Sequence, residues 1–148
     1  MDEMTSLHNM SEWLYSWLLD ATDENWLAIF ANQPDGGYGQ SYLVIFLLLT
    51  AIATPLIFYF IIAKNAANAT KKNYITLWLL GYFCLVVMNY FGLAALTDSK
   101  DVFMNFDMIK VTLIDFIYYS VIYELISYFS KESKRTMANN IDLITCWK

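Results

Sequence analysis

The 148-residue chain is 58% hydrophobic and 18% aromatic, only 16% of its residues are charged, and its net charge is −5. A soluble domain usually contains about 25% charged residues, so this composition is typical of an integral membrane protein. The acidic balance and the lack of a long basic run argue against nucleic acid as a partner.

Motifs for catalysis or metal binding do not occur in the sequence. The two cysteines, Cys84 and Cys146, lie far apart, no CxxC is present, and His8 is the single histidine. A glycine-rich phosphate loop, an HExxH motif and a GxSxG motif are also missing. We therefore predict a non-enzymatic protein without a metal or cofactor, in which both cysteines are unpaired.

The chain begins with an acidic segment, residues 1–40, which contains a predicted amphipathic helix. Residues 10, 13, 14, 17 and 18 are apolar and follow the i, i+3, i+4, i+7, i+8 spacing of one helix face. Trp13 and Trp17 lie on this face one turn apart, and indole rings favour the membrane–water boundary. We expect these tryptophans to contact the protein's own spans or a neighbouring subunit, the lipid surface, or a separate partner. A loop with Pro34 and several glycines follows.

Three apolar runs are long enough to cross a bilayer, which requires about 20 residues. They cover residues 42–63, 75–96 and 111–130. The first two are uncharged, whereas the third contains Asp115 and Glu124. We therefore predict an all-α integral membrane protein whose three transmembrane helices lie within residues 41–130.

The basic residues predict the orientation of these spans. Seven of the nine Lys and Arg residues fall in the loop between the first two spans and in the tail, residues 131–148. Basic loops are retained in the cytoplasm, so we expect the N-terminus outside and the C-terminus inside. The outer segments then carry ten acidic residues and two lysines. This imbalance indicates either an acidic docking surface or simply a segment poor in basic residues, as export requires.

The two carboxylates of the third span do not form a pair. Asp115 and Glu124 are nine residues apart, which places them on opposite faces of a helix and about 13 Å apart along its axis. They cannot share a proton or hold one metal ion. Each belongs to a polar stripe: one is Thr112, Asp115, Tyr119 and Tyr123, and the other is Ser120, Glu124, Ser127 and Lys131. We expect one stripe to face the protein's own spans and the other to face another subunit.

Depth in the membrane indicates partners for these acids. Asp115, Asn89 and Thr50 are predicted within about one helical turn of one another, so we hypothesise an intramembrane polar cluster that serves either assembly or an ion pathway. Glu124 lies near the cytoplasmic boundary, where it can reach water or a basic group of a partner. The apolar tail sequence IDLITCW is too short to fold alone, and we expect it to bind something else.

These features predict a small structural subunit or anchor of a larger envelope complex, for example a secretion or injection machine. We expect it in the plasma membrane, in bacteria the inner membrane, in contact with lipid and with copies of itself or other subunits. The alternative is an oligomeric pore former, or an ion- or proton-pathway subunit that uses Asp115 or Glu124. The three-span topology with a basic tail resembles that of some phage holins.

Overall fold

The computed structural model describes residues 39–97 and 106–148, together with Ser6, Asn9, Met10, residues 13–15 and Phe103. These residues are mostly helical and include no strand, which confirms the predicted helical class. The helices are α1 (Gly39–Phe60), α2 (Lys71–Val87), α3 (Leu93–Thr97), α4 (Phe106–Lys131) and α5 (Leu143–Cys146). A 3-10 turn, Ile62–Lys64, follows α1, and a π-helical turn, Met88–Gly92, joins α2 to α3.

Two of these segments are long and apolar enough to cross a membrane, namely Tyr42–Lys64 and Lys71–Leu96. They coincide closely with the first two spans expected from the sequence and favour a membrane location. Helix α4 has 26 residues, which at about 1.5 Å per residue also exceeds the thickness of a hydrocarbon core. Unlike the other two apolar runs, it contains internal carboxylates, Asp115 and Glu124, and its insertion into a membrane stays a prediction.

Local side-chain chemistry explains the shape of α1 and the start of α2. Pro55 lies inside α1, where it cannot donate to the carbonyl of Ala51. One residue earlier, the Thr54 hydroxyl donates to the carbonyl of Thr50. Helix α2 begins directly after Thr70, whose hydroxyl oxygen accepts a hydrogen bond from the Asn73 backbone N–H at 3.2 Å. This bond satisfies one of the free donors at a helix N-terminus.

The described chain divides into two compact units. The first comprises the described residues up to Leu47 together with Leu85–Asp115, and the second comprises Leu48–Cys84 and Phe116–Lys148. The first unit buries aliphatic side chains around two polar residues, Asn89 and Asp115. The second unit has an aromatic core, in which the rings of Phe58, Tyr59, Tyr74, Tyr119 and Tyr123 are fully buried and form edge-to-face or tilted contacts.

The polarity of the long helices is inverted relative to that of a soluble helix. Within residues 42–61, 77–96 and 111–129, every described side chain that is exposed is aliphatic, aromatic or the thiol of Cys84. The buried side chains in these helices include the polar residues Thr50, Thr54, Asn89, Asp115 and Ser127. A helix that faces water has the opposite arrangement, with its polar side outward.

Candidate functional site

A buried carboxylate, that of Asp115 in α4, lies at the centre of the candidate site. Asp115 is 0% exposed. Its Oδ2 atom accepts a hydrogen bond from Nδ2 of Asn89 at 2.6 Å, and its Oδ1 atom accepts one from the hydroxyl of Tyr15. The structure thus joins Asp115 to Asn89, the neighbour suggested by depth, and adds Tyr15. Both donors are neutral, so the carboxylate is held by hydrogen bonds from a phenol and an amide.

The π-helical turn positions Asn89 for this contact. The turn covers Met88–Gly92, and its wider winding lies next to the buried carboxylate, as π-helical turns often do at functional sites. Asn89 is 0% exposed, and its Oδ1 atom has no hydrogen-bond partner within the described part of the chain. An unsatisfied buried acceptor of this kind costs about 1–3 kcal/mol. The Asn89 side chain thus makes a hydrogen bond through its amide nitrogen but none through its amide oxygen, within the described residues.

Tyr15 is a member of the site that the sequence analysis missed. The apolar periodicity assigned the buried face of the N-terminal helix to residues that include Trp13, Leu14 and Trp17. In the structure Leu14 and Tyr15 are buried, whereas Trp13 is 76% exposed. Trp17 lies outside the described residues, so the contacts expected of both tryptophans stay predictions. The position of Tyr15 next to the apolar face could have indicated this role, because a tyrosine can bury its large ring and still donate a hydrogen bond from its hydroxyl.

Thr50, the third residue of the hypothesised cluster, belongs to the second unit. It is buried, and its carbonyl accepts the hydroxyl of Thr54 within α1. This i to i−4 bond is the usual way for a threonine to satisfy its hydroxyl inside an apolar helix. The hydrogen bonds that define the candidate site therefore come from Tyr15, Asn89 and Asp115.

Tyr119 and Tyr123, which belong to the polar stripe of Asp115, form hydrogen bonds inside the second unit. The Tyr119 hydroxyl donates to the carbonyl of Trp78 at 3.0 Å, and the Tyr123 hydroxyl lies 3.5 Å from the carbonyl of Tyr74. The hydroxyl of Tyr74 in turn bonds the hydroxyl of Ser127 at 2.8 Å. These bonds pair the phenol hydroxyls within an apolar environment, where unpaired polar groups are costly. This stripe faces the protein's own helices, as expected.

Glu124 binds the tail of its own chain. Its Oε2 atom accepts a hydrogen bond from the backbone N–H of Leu143 at 2.8 Å. Leu143 is the first residue of α5, so the carboxylate satisfies one of the free donors at that helix N-terminus. The sequence pattern did not reveal that the tail folds back onto Glu124, and the expectation that the second polar stripe faces another subunit stays a prediction.

The tail also forms an ion pair and a capping box within its own chain, and the expectation that it binds something else stays a prediction. Asp142 caps α5 through its bond from the Thr145 N–H at 2.7 Å, and Lys131 donates to the same carboxylate. Lys71 donates to the carbonyl of Thr145 at 2.6 Å, and Tyr59 donates to that of Ile141. The seven-residue segment IDLITCW, which is too short to fold alone, is thus held near both ends by side chains of the long helices.

Charge stabilises this docked tail. Burial acts to raise the pKa of the Asp142 carboxyl, but the bonds from Lys131 and Thr145 outweigh burial and hold this pKa below its usual range. The bond to Asp142 raises the pKa of the Lys131 ammonium. Because the folded-state pKa of Asp142 is depressed, its contribution is present above the unfolded value of about 3.9 and is lost as the pH falls through the folded value. We expect docking to be insensitive to pH near neutrality.

Replacement of Asp142 by alanine is expected to release the tail. The change removes both the helix cap and the ion pair, and loss of a cap alone costs about 0.5–2 kcal/mol, which corresponds to a roughly 2- to 30-fold larger undocked population. Burial raises the pKa of the Cys146 thiol in the docked tail. The alkylation rate of Cys146, measured in a Cys84→Ser background, should therefore rise by a similar factor. Glu132→Ala removes an exposed acid nearby and should leave the rate unchanged. Equal rates in the two variants would contradict a docked tail.

Groups of three or more His, Cys, Asp or Glu side chains that could hold a metal ion do not occur among the residues that the structure describes. Comparison with protein-family models, with curated proteins and with solved structures returns no match.

Proposed function

We propose that this protein is a non-enzymatic integral membrane subunit with three spans, which anchors a larger envelope complex in the plasma membrane. The observation that supports this proposal is the inverted polarity of α1, α2 and α4. Their exposed side chains are apolar over the length of a bilayer core, whereas the polar residues Thr50, Thr54, Asn89, Asp115 and Ser127 are buried. Such a surface suits lipid or the helices of partner subunits.

The third span is supported by the surroundings of its two acids. Asp115 is buried and accepts two hydrogen bonds, and Glu124 accepts the backbone N–H of Leu143 near the end of α4. Neither carboxylate is among the exposed side chains of the helix, which are apolar or aromatic from Leu113 to Phe129. A charged residue in a membrane helix is tolerated when it faces the protein interior or the interface in this way.

An odd number of spans places the two ends of the chain on opposite sides of the membrane, which gives a direct test. Ser6 is exposed in the described N-terminal part, and Cys146 lies in the tail. In a Cys84→Ser background, a membrane-impermeant maleimide added to intact cells should label Ser6→Cys. It should label Cys146 only after permeabilisation. Labelling of both ends from the outside, or of neither, would exclude the orientation that we propose.

Assembly through the apolar faces is tested by tryptophan substitution at exposed positions of the three helices. Suitable variants are Ile57→Trp, Leu80→Trp and Val121→Trp, because each site is exposed and apolar. A face that contacts lipid tolerates the larger ring, whereas a face packed against a partner loses that partner. Purification in mild detergent with mass spectrometry should recover partners at a fixed ratio, and at least one variant should lose them. A wild-type protein that stays alone and monomeric in lipid would refute the anchoring role.

A second candidate function is an ion or proton pathway through Asp115. The buried carboxylate with only neutral donors favours it, because intramembrane acids often mark such pathways. Proteoliposomes of the wild type and of Glu124→Gln would then conduct equally, whereas Asp115→Asn would not. Toxicity on expression would favour an oligomeric, holin-like pore.

A further inference from the structure

We propose that a groove between the end of α1 and the start of α2 binds the headgroup of an anionic phospholipid from the cytoplasmic leaflet. This α1–α2 groove has a volume of about 290 Å³, and it is lined by Ile62, Asn68, Asn73, Thr76 and Leu77. All of these residues belong to the second unit. Ligand clefts in proteins start at about 300 Å³, so the groove suits a small polar group such as a glycerophosphate.

The polar part of the lining offers hydrogen-bond donors. Nδ2 of Asn73 donates to the carbonyl of Asn68 at 2.9 Å, which ties the loop to the first turn of α2. The side-chain amide of Asn68 and the hydroxyl of Thr76 make no hydrogen bond within the part of the chain that the structure describes. Amide and hydroxyl groups both donate to oxygen acceptors. The groove therefore presents unused donors of the kind that a phosphate diester accepts.

The apolar part of the lining continues into the exposed apolar surface of the long helices. Leu77 lies on the same helix face as Leu80, three residues further on, and Leu80 is 53% exposed. Ile62 follows Ile61, which is 66% exposed. A phospholipid can thus place its headgroup in the groove and its acyl chains on this surface, and a free phosphate has no apolar part to bury there. This continuity assigns the ligand to the lipids.

Charge selects an anionic headgroup. Residues 64–72 contain three lysines and no acid. Lys71 donates to the tail carbonyl of Thr145, whereas Lys72 is exposed and forms no ion pair within the described residues. Lys72 and Thr76 are four residues apart, so they lie on one face of α2, one above the other. The ammonium group therefore flanks the groove, and the anionic lipids of a cytoplasmic leaflet complement its charge.

This site rests on the membrane insertion of α1 and α2 that the proposed function includes, and not on the anchoring role. Lipid binding is measured on the isolated protein in detergent, insertion by labelling of intact cells, and anchoring by co-purification. A failure of one of these properties is therefore distinguishable from a failure of the others.

The test counts the lipids that the purified full-length protein retains in neutral detergent, by native mass spectrometry, during titration with phosphatidylglycerol or phosphatidylcholine. The wild type should retain one phosphatidylglycerol at concentrations at which it retains no phosphatidylcholine. Lys72→Gln should weaken this binding roughly fivefold, which is the contribution of one basic residue near anionic headgroups. Lys148→Gln makes the same change at an exposed lysine at the end of the tail, and it should leave binding unchanged.

A second measurement blocks the groove without changing the charge. Thr76→Trp places a large ring at an exposed position of the lining, so the protein should stay helical by circular dichroism and lose the lipid. Leu80→Trp makes a similar change one turn further along α2, outside the groove lining, and should retain the lipid.

Equal retention of the two lipids by the wild type overturns the proposal. Retention of phosphatidylglycerol by Thr76→Trp at the wild-type level overturns it as well. Displacement of the lipid by soluble glycerol phosphate at equal concentration would assign the groove to a free phosphate ligand and so contradict the lipid site.

Discussion

Replacement of Tyr74 by alanine is expected to destabilise the helical domain by about 3–5 kcal/mol, as truncation of a large buried aromatic side chain usually does. The ring is fully buried among those of Phe58, Tyr59 and Tyr123, with the nearest centroid, that of Phe58, at 5.1 Å. The hydroxyl bonds Ser127 at 2.8 Å. Alanine would leave a cavity beside three rings that lose their edge-to-face partner.

The measurement is unfolding by sodium dodecyl sulfate in mixed micelles, followed by circular dichroism. Tyr74→Phe keeps the ring and removes only the hydroxyl, so its cost should be about 1 kcal/mol, and a double-mutant cycle with Ser127→Ala should recover the coupling of the pair. Phe83→Ala truncates an aromatic side chain that is exposed on the same helix, and it should cost far less. A Tyr74→Ala variant as stable as Phe83→Ala would refute the aromatic core.

Gly81→Ala is expected to destabilise the protein by about 1–3 kcal/mol, as overpacking does. Helix propensity alone predicts the opposite sign, since alanine exceeds glycine by about 0.8–1.0 kcal/mol in a helix interior. A Cβ atom at position 81 would overlap the Tyr119 hydroxyl and would lie 2.6 Å from the Thr54 methyl carbon. The Tyr119 hydroxyl is held by its bond to the Trp78 carbonyl, so it cannot simply move aside.

The same unfolding assay tests this sign, and second-site changes test its cause. Thr54→Ala and Tyr119→Phe each remove one of the overlapping groups, so either should cost less in the Gly81→Ala background than in the wild type. Gly92→Ala is the comparator, because its Cβ would lie 3.0 Å from the ring of Phe46 and requires only a small shift. A stabilised Gly81→Ala protein would show that the close approach of the helices does not exist.

Hydropathy along the chain was sufficient to locate the long helices. The first two apolar runs, residues 42–63 and 75–96, match the two segments found long enough to cross a membrane. The reason is that about 20 consecutive apolar residues between polar loops have few other stable arrangements. Depth along the helices also pointed from Asp115 to Asn89, because the rise per residue is nearly constant in any helix.

The sequence did not reveal which face of each helix points to which neighbour, or that the two ends of the chain fold back onto the long helices. Tertiary packing decides both. Tyr15 reaches Asp115 from a hundred positions away, and Glu124 holds Leu143 of the tail, although neither contact has a periodic signal. A hydropathy pattern locates apolar segments along the chain and says little about which neighbour a side chain meets. That Glu124 binds the tail of its own chain is decided by the tertiary fold, since a half-buried carboxylate binds whichever free N–H donor the fold brings to it.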